Sequence, residues 1–84
     1  MEPIHVMYFV YGPGAELKPL DTGTAFYARA WVSEHDCRDF RWNQITRSWV
    51  PTSYLLRLAS RGDPDLDNVD PRDVPDWIPA PIID

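Results

Sequence analysis

A chain of 84 residues with one cysteine and a net charge of −5 has room for one small domain and holds no internal disulfide. It is too acidic overall for general nucleic-acid binding. No apolar run approaches the roughly 18 residues of a membrane span, and MEPIHVMYFVYG has neither a positive leader region nor a small-residue cleavage site. These features predict a soluble cytoplasmic protein with no membrane partner. Seven Arg against one Lys, with Asp far above Glu, match the residue usage of a GC-rich bacterial genome.

Ile4 to Tyr11 is β-branched and aromatic without a gap, so it reads as a strand. Ile4, Val6, Tyr8 and Val10 share one face; His5, Met7, Phe9 and Tyr11 share the other. Both faces are apolar, which predicts a strand inside the sheet. Residues 12–23 form a loop. Its Gly12-Pro13-Gly14 is a turn rather than a phosphate cradle, because no Lys-Ser/Thr follows and Pro13 lacks an N–H.

Thr24 to Val32 alternates cleanly. Thr24, Phe26, Ala28, Ala30 and Val32 make a small-residue face suited to a helix. Ala25, Tyr27, Arg29 and Trp31 make an aromatic and basic face that is expected to stay open. Ser33 to Arg38 breaks the strand, and residues 39–50 then form a hairpin. With Gln44-Ile45-Thr46-Arg47 as the loop, Asn43 faces Ser48 and Trp42 faces Trp49. Pro51 ends the last strand.

A helix follows over residues 52–61. Thr52 or Ser53 caps it, Leu55, Leu58 and Ala59 form its buried stripe, and Gly62 stops it. The predicted class is therefore α+β: three to four antiparallel strands (4–11, 24–32, 39–43 and 48–50), one short helix, and an extended acidic Pro-rich C-terminal segment. Residues 1–61 make the compact domain, and residues 62–84 make the segment.

Charge separates the two parts. Residues 62–84 hold seven Asp and one Arg, or −6, whereas residues 1–61 hold seven bases and six acids, or +1. The five prolines among residues 63–84 exclude a regular helix or an inner strand. Leu66, Val69, Val74, Trp77, Ile78, Ile82 and Ile83 nevertheless punctuate the segment, which predicts that it lies along a surface, its own or a partner's.

Four constellations carry possible chemistry. Tyr27, Arg29 and Trp31, with Arg41 and Arg47, suit base stacking and phosphate neutralisation, yet they equally describe a half-covered sheet face whose arginines pair with aspartates. Trp42 and Trp49 are either a cross-strand brace or a docking platform. Asp63, Asp65 and Asp67 resemble half of an EF-hand loop, but Pro71 and Val74 occupy its later ligand positions, so only weak Ca²⁺ binding is conceivable. His35, Asp36 and Cys37 fall short of a zinc site, and no cysteine-enzyme motif surrounds Cys37.

The composition thus favours a non-catalytic protein-binding module without metal or cofactor: a small regulator, inhibitor or accessory subunit. It would meet a protein partner, possibly one with a basic surface, through Tyr27, Arg29, Trp31, Arg41, Trp42, Arg47, Trp49, Asp65, Asp67, Asp70, Asp73 and Trp77. The alternatives are a nucleic-acid-associated protein using the aromatic-arginine face and, third, a small enzyme built on Cys37 and His35.

Overall fold

The architecture comes from a computed structural model that describes residues 2–12, 25–63 and 65–83. Pro13, Gly14, the rest of the loop to Thr24, Pro64 and Asp84 lie outside the described residues. Five strands form one antiparallel sheet: β1 His5–Tyr11, β2 Ala25–Trp31, β3 Cys37–Asn43, β4 Ser48–Pro51 and β5 Leu66–Val69, in the order β4-β3-β2-β1-β5. The single helix among the described residues, α1 Tyr54–Arg61, carries the chain from β4 at one edge to β5 at the other.

The class is α+β, with one strand more than the three to four predicted. The extra strand is Leu66–Val69, paired with β1 through Tyr8–Val69 and Tyr11–Leu66. Its Leu-Asp-Asn-Val sequence has little strand propensity, and pairing with β1 overrides that. Because β5 lies beyond it, β1 is an inner strand, as its two apolar faces required. β3 starts two residues before its predicted boundary, since Cys37 and Arg38 pair with Trp31 and Ala30.

Register sorts the side chains into two faces. Across one face runs the row Val69, Tyr8, Ala28, Phe40, Pro51, flanked by Val10 and Phe26 on one side and Val6 and Ala30 on the other. Across the opposite face runs Asn68, Phe9, Tyr27, Arg41, Val50, flanked by the neighbours Met7, Arg29 and Asp39.

The helix packs on the Tyr27 face, not on the small-residue face predicted for it. Leu55 and Leu58 are buried against Tyr27, with Phe9, Tyr11, Ala25 and Leu66 around them. Tyr27 is 2% exposed, so it is core. The alanines serve the other face, where Ala28 and Ala30 leave room for large rings. Tyr8 stacks on Phe26 at 5.8 Å, and Trp49 leans on both.

The C-terminal segment closes that ring-filled face. After β5 it makes a short 3₁₀ turn, Pro71–Asp73. Ile78 then enters the cluster with Tyr8, Val10, Phe26 and Trp42, and Ile83 enters the one with Ala30 and Phe40. Pro81 is fully buried between these anchors in sequence. The result is three layers: a C-terminal strap that turns at residues 75–78, a sheet, and a helix.

The helix ends follow local rules. The Thr52 hydroxyl accepts from Tyr54 N–H at 3.1 Å, while Ser53 occupies the N-cap position without a capping bond from its side chain. At the other end Gly62 takes φ 62°, and the Asp63 N–H donates to the Leu58 carbonyl at 3.2 Å. Ala59, predicted in the buried stripe, is exposed, because an eight-residue helix rests on the sheet through Leu55 and Leu58 alone.

Candidate protein-binding surfaces

Of the aromatic and arginine residues singled out in the sequence, Tyr27, Arg29, Trp42 and Trp49 are committed to the fold. Tyr27 lies beneath the helix. Arg29 faces Asp39 across the β2–β3 ladder and donates two hydrogen bonds to it, Nε to Oδ1 at 2.7 Å and Nη2 to Oδ2 at 3.0 Å. That bidentate pairing holds the guanidinium above its ordinary pKa, against the opposing effect of burial. Trp31 is half-buried between His5 and Cys37 in the ladder. An open face of Tyr27, Arg29 and Trp31 is therefore not formed: Tyr27 lies beneath the helix, Arg29 is paired with Asp39, and Trp31 is half-buried.

Trp42 and Trp49 do face each other across the hairpin, with ring centroids 5.1 Å apart and planes at 69°. The loop that sets this register is held by the Asn43 carboxamide, whose Oδ1 accepts from Ile45 N–H at 2.9 Å and Thr46 N–H at 3.2 Å. Arg47 ends the loop in the left-handed region at φ 51°. Both indole N–H groups are occupied. Trp42 donates to Gln44 Oε1 at 2.9 Å, and Trp49 donates to the Pro79 carbonyl at 2.7 Å. The pair braces the hairpin and also grips the strap.

One aromatic corner stays accessible. Trp77 packs edge-on to Trp42 at 6.1 Å, carries the Arg47 guanidinium 5.8 Å above its ring, and remains 44% exposed. Ile45, at the hairpin tip, is almost fully exposed. Trp and Arg together are the residue types most often found at the energetic centre of interfaces.

The carboxylates follow the chain from the turn before β5, through β5 and the 3₁₀ turn, to Asp76 beside Trp77. Asp63 accepts from the Tyr11 hydroxyl at 3.1 Å, which raises that phenol above its ordinary pKa. Asp70 caps the 3₁₀ turn through Arg72 N–H at 2.9 Å and pairs with the Arg72 guanidinium at 2.9 Å. Those bonds, the guanidinium's first, hold Asp70 below the usual carboxylate range. Asp67, Asp73 and Asp76 are exposed and Asp65 half-exposed. None of these four forms a salt bridge among the described residues.

At the β2–β3 turn, Asp36 is engaged by Arg38 at 2.7 Å, and His35 is exposed beside half-buried Cys37. Among the described residues no three His, Cys, Asp or Glu side chains converge on a common point, and Asp63, Asp65 and Asp67 are among those that do not. No helix of the described residues is long and apolar enough to cross a membrane.

Burial also shapes the alkaline response. The Tyr8 and Tyr27 hydroxyls are pushed above the ordinary phenol value by desolvation. The unfolded chain therefore ionises first, so their stabilising effect is complete below about pH 10 and is lost as pH rises through the higher folded values. Phenolate absorbance during an alkaline titration should show late-titrating tyrosines that ionise together with loss of the fold. Ordinary, uniform titration of every tyrosine in a still-folded chain would contradict this packing.

No protein-family model matches the chain, and neither a curated protein nor a solved structure does.

Proposed function

We propose that this chain is a non-catalytic protein-binding module, a small regulator or accessory subunit, that presents its acidic flank to a basic protein surface. The observation that carries the reading is the run of carboxylates Asp65, Asp67, Asp73 and Asp76. They lie along the chain from the turn before β5 to Trp77, and none of the four forms a salt bridge among the described residues, although Asp73 adjoins the Arg72 guanidinium that Asp70 pairs with. A flank of net negative charge steers an oppositely charged partner into encounter, and the adjoining Trp77 offers an anchor once contact is made. The nucleic-acid alternative draws no support from rings that lie beneath the helix or the strap.

The test is kinetic. A partner captured on the full chain from the source organism should associate several-fold more slowly at about 0.5 M salt than at about 0.05 M, with dissociation much less affected. The triple variant Asp67→Asn, Asp73→Asn, Asp76→Asn should reproduce that slowing at low salt. An association rate indifferent to both salt and the triple variant refutes the reading.

A further inference from the structure

The strap lies on the sheet as a peptide ligand lies in a groove. Its anchors Ile78, Pro81 and Ile83 are buried, whereas Pro79, Ala80 and Ile82 between them are exposed. Among the described residues, the hydrogen bond that fastens residues 79–82 to the sheet is the one from the Trp49 indole N–H to the Pro79 carbonyl. The floor beneath Ile78 is Tyr8, Phe26 and Trp42, and that beneath Ile83 is Ala30 and Phe40. A proline-bearing segment laid on aromatic rings is the mode by which grooves take proline-rich peptides. Such a segment is held by side chains and not by strand pairing, so the same floor accepts it from another chain.

The hinge that brings the strap back over its own sheet is short and open to water. Asp70 and Val74 each precede a proline, and each is already extended, at φ −62°, ψ 132° and φ −73°, ψ 128°. Between them the chain bends through the 3₁₀ turn Pro71–Asp73. That turn is closed by the Asp73 N–H on the Asp70 carbonyl at 2.8 Å and the Val74 N–H on the Pro71 carbonyl at 3.3 Å. Residues 70–73 are all exposed, so water replaces these bonds at small net cost when the turn opens. The Asp70–Arg72 pair is exposed as well and adds little resistance.

We infer that the ring-filled face also accepts the strap of a second copy of this chain, two chains exchanging residues 74–83 reciprocally about the Asp70–Val74 hinge. The floor selects this occupant, because an identical strap brings Ile78, Pro81, Ile83 and the Pro79 carbonyl in the same spacing. Every contact between strap and sheet is kept in the exchanged pair; the hinge alone changes, from turned to extended. A short tether holds its segment at an effective concentration on the order of millimolar, so exchange competes as the protein itself approaches that concentration. The inference goes beyond the acidic-flank reading and requires no basic partner.

Equal parts of full chain labelled with ¹³C at the isoleucine methyls and unlabelled full chain would be unfolded together in urea. The mixture would then be refolded at about 1 mM and, in parallel, at about 0.01 mM. Sedimentation should find a dimer fraction at least about tenfold larger in the concentrated sample. Isotope-filtered nuclear Overhauser spectra of that dimer should join the labelled Ile78 methyls to Tyr8 and Trp42 rings of the unlabelled chain. Contacts within one chain are filtered out, so this signal reports exchange alone. The double variant Arg72→Pro, Asp73→Pro makes residues 71–73 an unbroken proline run, which stays extended, and removes the Asp73 N–H that closes the turn. It should dimerise at concentrations at least about tenfold lower than the parent. Should it not fold, the filtered contacts of the parent chain decide alone. Monomers only at the higher concentration overturn the inference, as does a folded double variant no more dimeric than the parent. Dimers without contacts from Ile78 to the other chain's rings overturn it in favour of association through an outer surface. No basic partner enters the measurement, so its outcome is separate from that of the acidic-flank reading.

Discussion

A chain ending after Val74 is expected not to fold. Truncation there keeps β5 but removes Trp77, Ile78, Pro81 and Ile83, the side chains that close one face of the sheet. Burying an isoleucine contributes about 1.5–3 kcal/mol, so the two isoleucines alone supply about 3–6 kcal/mol. The loss is compounded because Phe26, Ala28, Ala30, Phe40 and Trp42 would face water. A domain this small has a total stability of about 5–10 kcal/mol. Near-ultraviolet circular dichroism of the truncated chain should lack fixed tryptophan signals, and urea should produce no cooperative transition. Ile78→Asp in the full chain should destabilise in the same direction, by about 3–5 kcal/mol, because it buries a charge in place of a methyl group. A truncated chain within about 1 kcal/mol of the parent would make the strap an accessory rather than a layer.

Breaking the Arg29–Asp39 pair should have the next largest effect. The two side chains are only 17% and 11% exposed, so solvent screens them little. Asp39→Ala leaves a guanidinium largely out of water with its two acceptors gone, at a cost of about 2–4 kcal/mol in urea unfolding. Replacing both residues, as Arg29→Met with Asp39→Leu, should recover most of that loss, because the penalty comes from an unanswered charge and not from missing attraction. If Asp39→Ala is neutral in stability, Arg29 is free to serve a partner, and its assignment to the scaffold fails.

Local rules that act over few residues were legible in the sequence. The Trp42–Trp49 register follows from a four-residue loop and strict alternation, and the Gly62 stop follows from its lack of a Cβ. The face that the helix covers was not legible. Both faces of β2 carry apolar residues, and alternation says which residues share a face, not what lies on it. Tyr27 illustrates the ambiguity, since a tyrosine beside two arginine-bearing positions suits an interface as well as a core. β5 was hidden for a related reason: four residues with two polar members acquire strand geometry only from their neighbour β1. The strap announced itself in Ile78 and Ile83, apolar residues that a solvated tail has no use for, but composition does not say which surface they meet.

The account depends on the strap docking on its own sheet, which commits Tyr8, Phe26, Trp42 and Trp49 to the packing beneath it and leaves recognition to the acidic flank and the Trp77 corner. Isoleucine methyl NMR of the full chain tests this most directly. Ile78 and Ile83 methyls should be displaced by ring currents, with nuclear Overhauser contacts from Ile78 to the Tyr8 and Trp42 rings and from Ile83 to the Phe40 ring, while exposed Ile82 stays near its random-coil position. Random-coil positions for all three, with no contact to those rings, would contradict it.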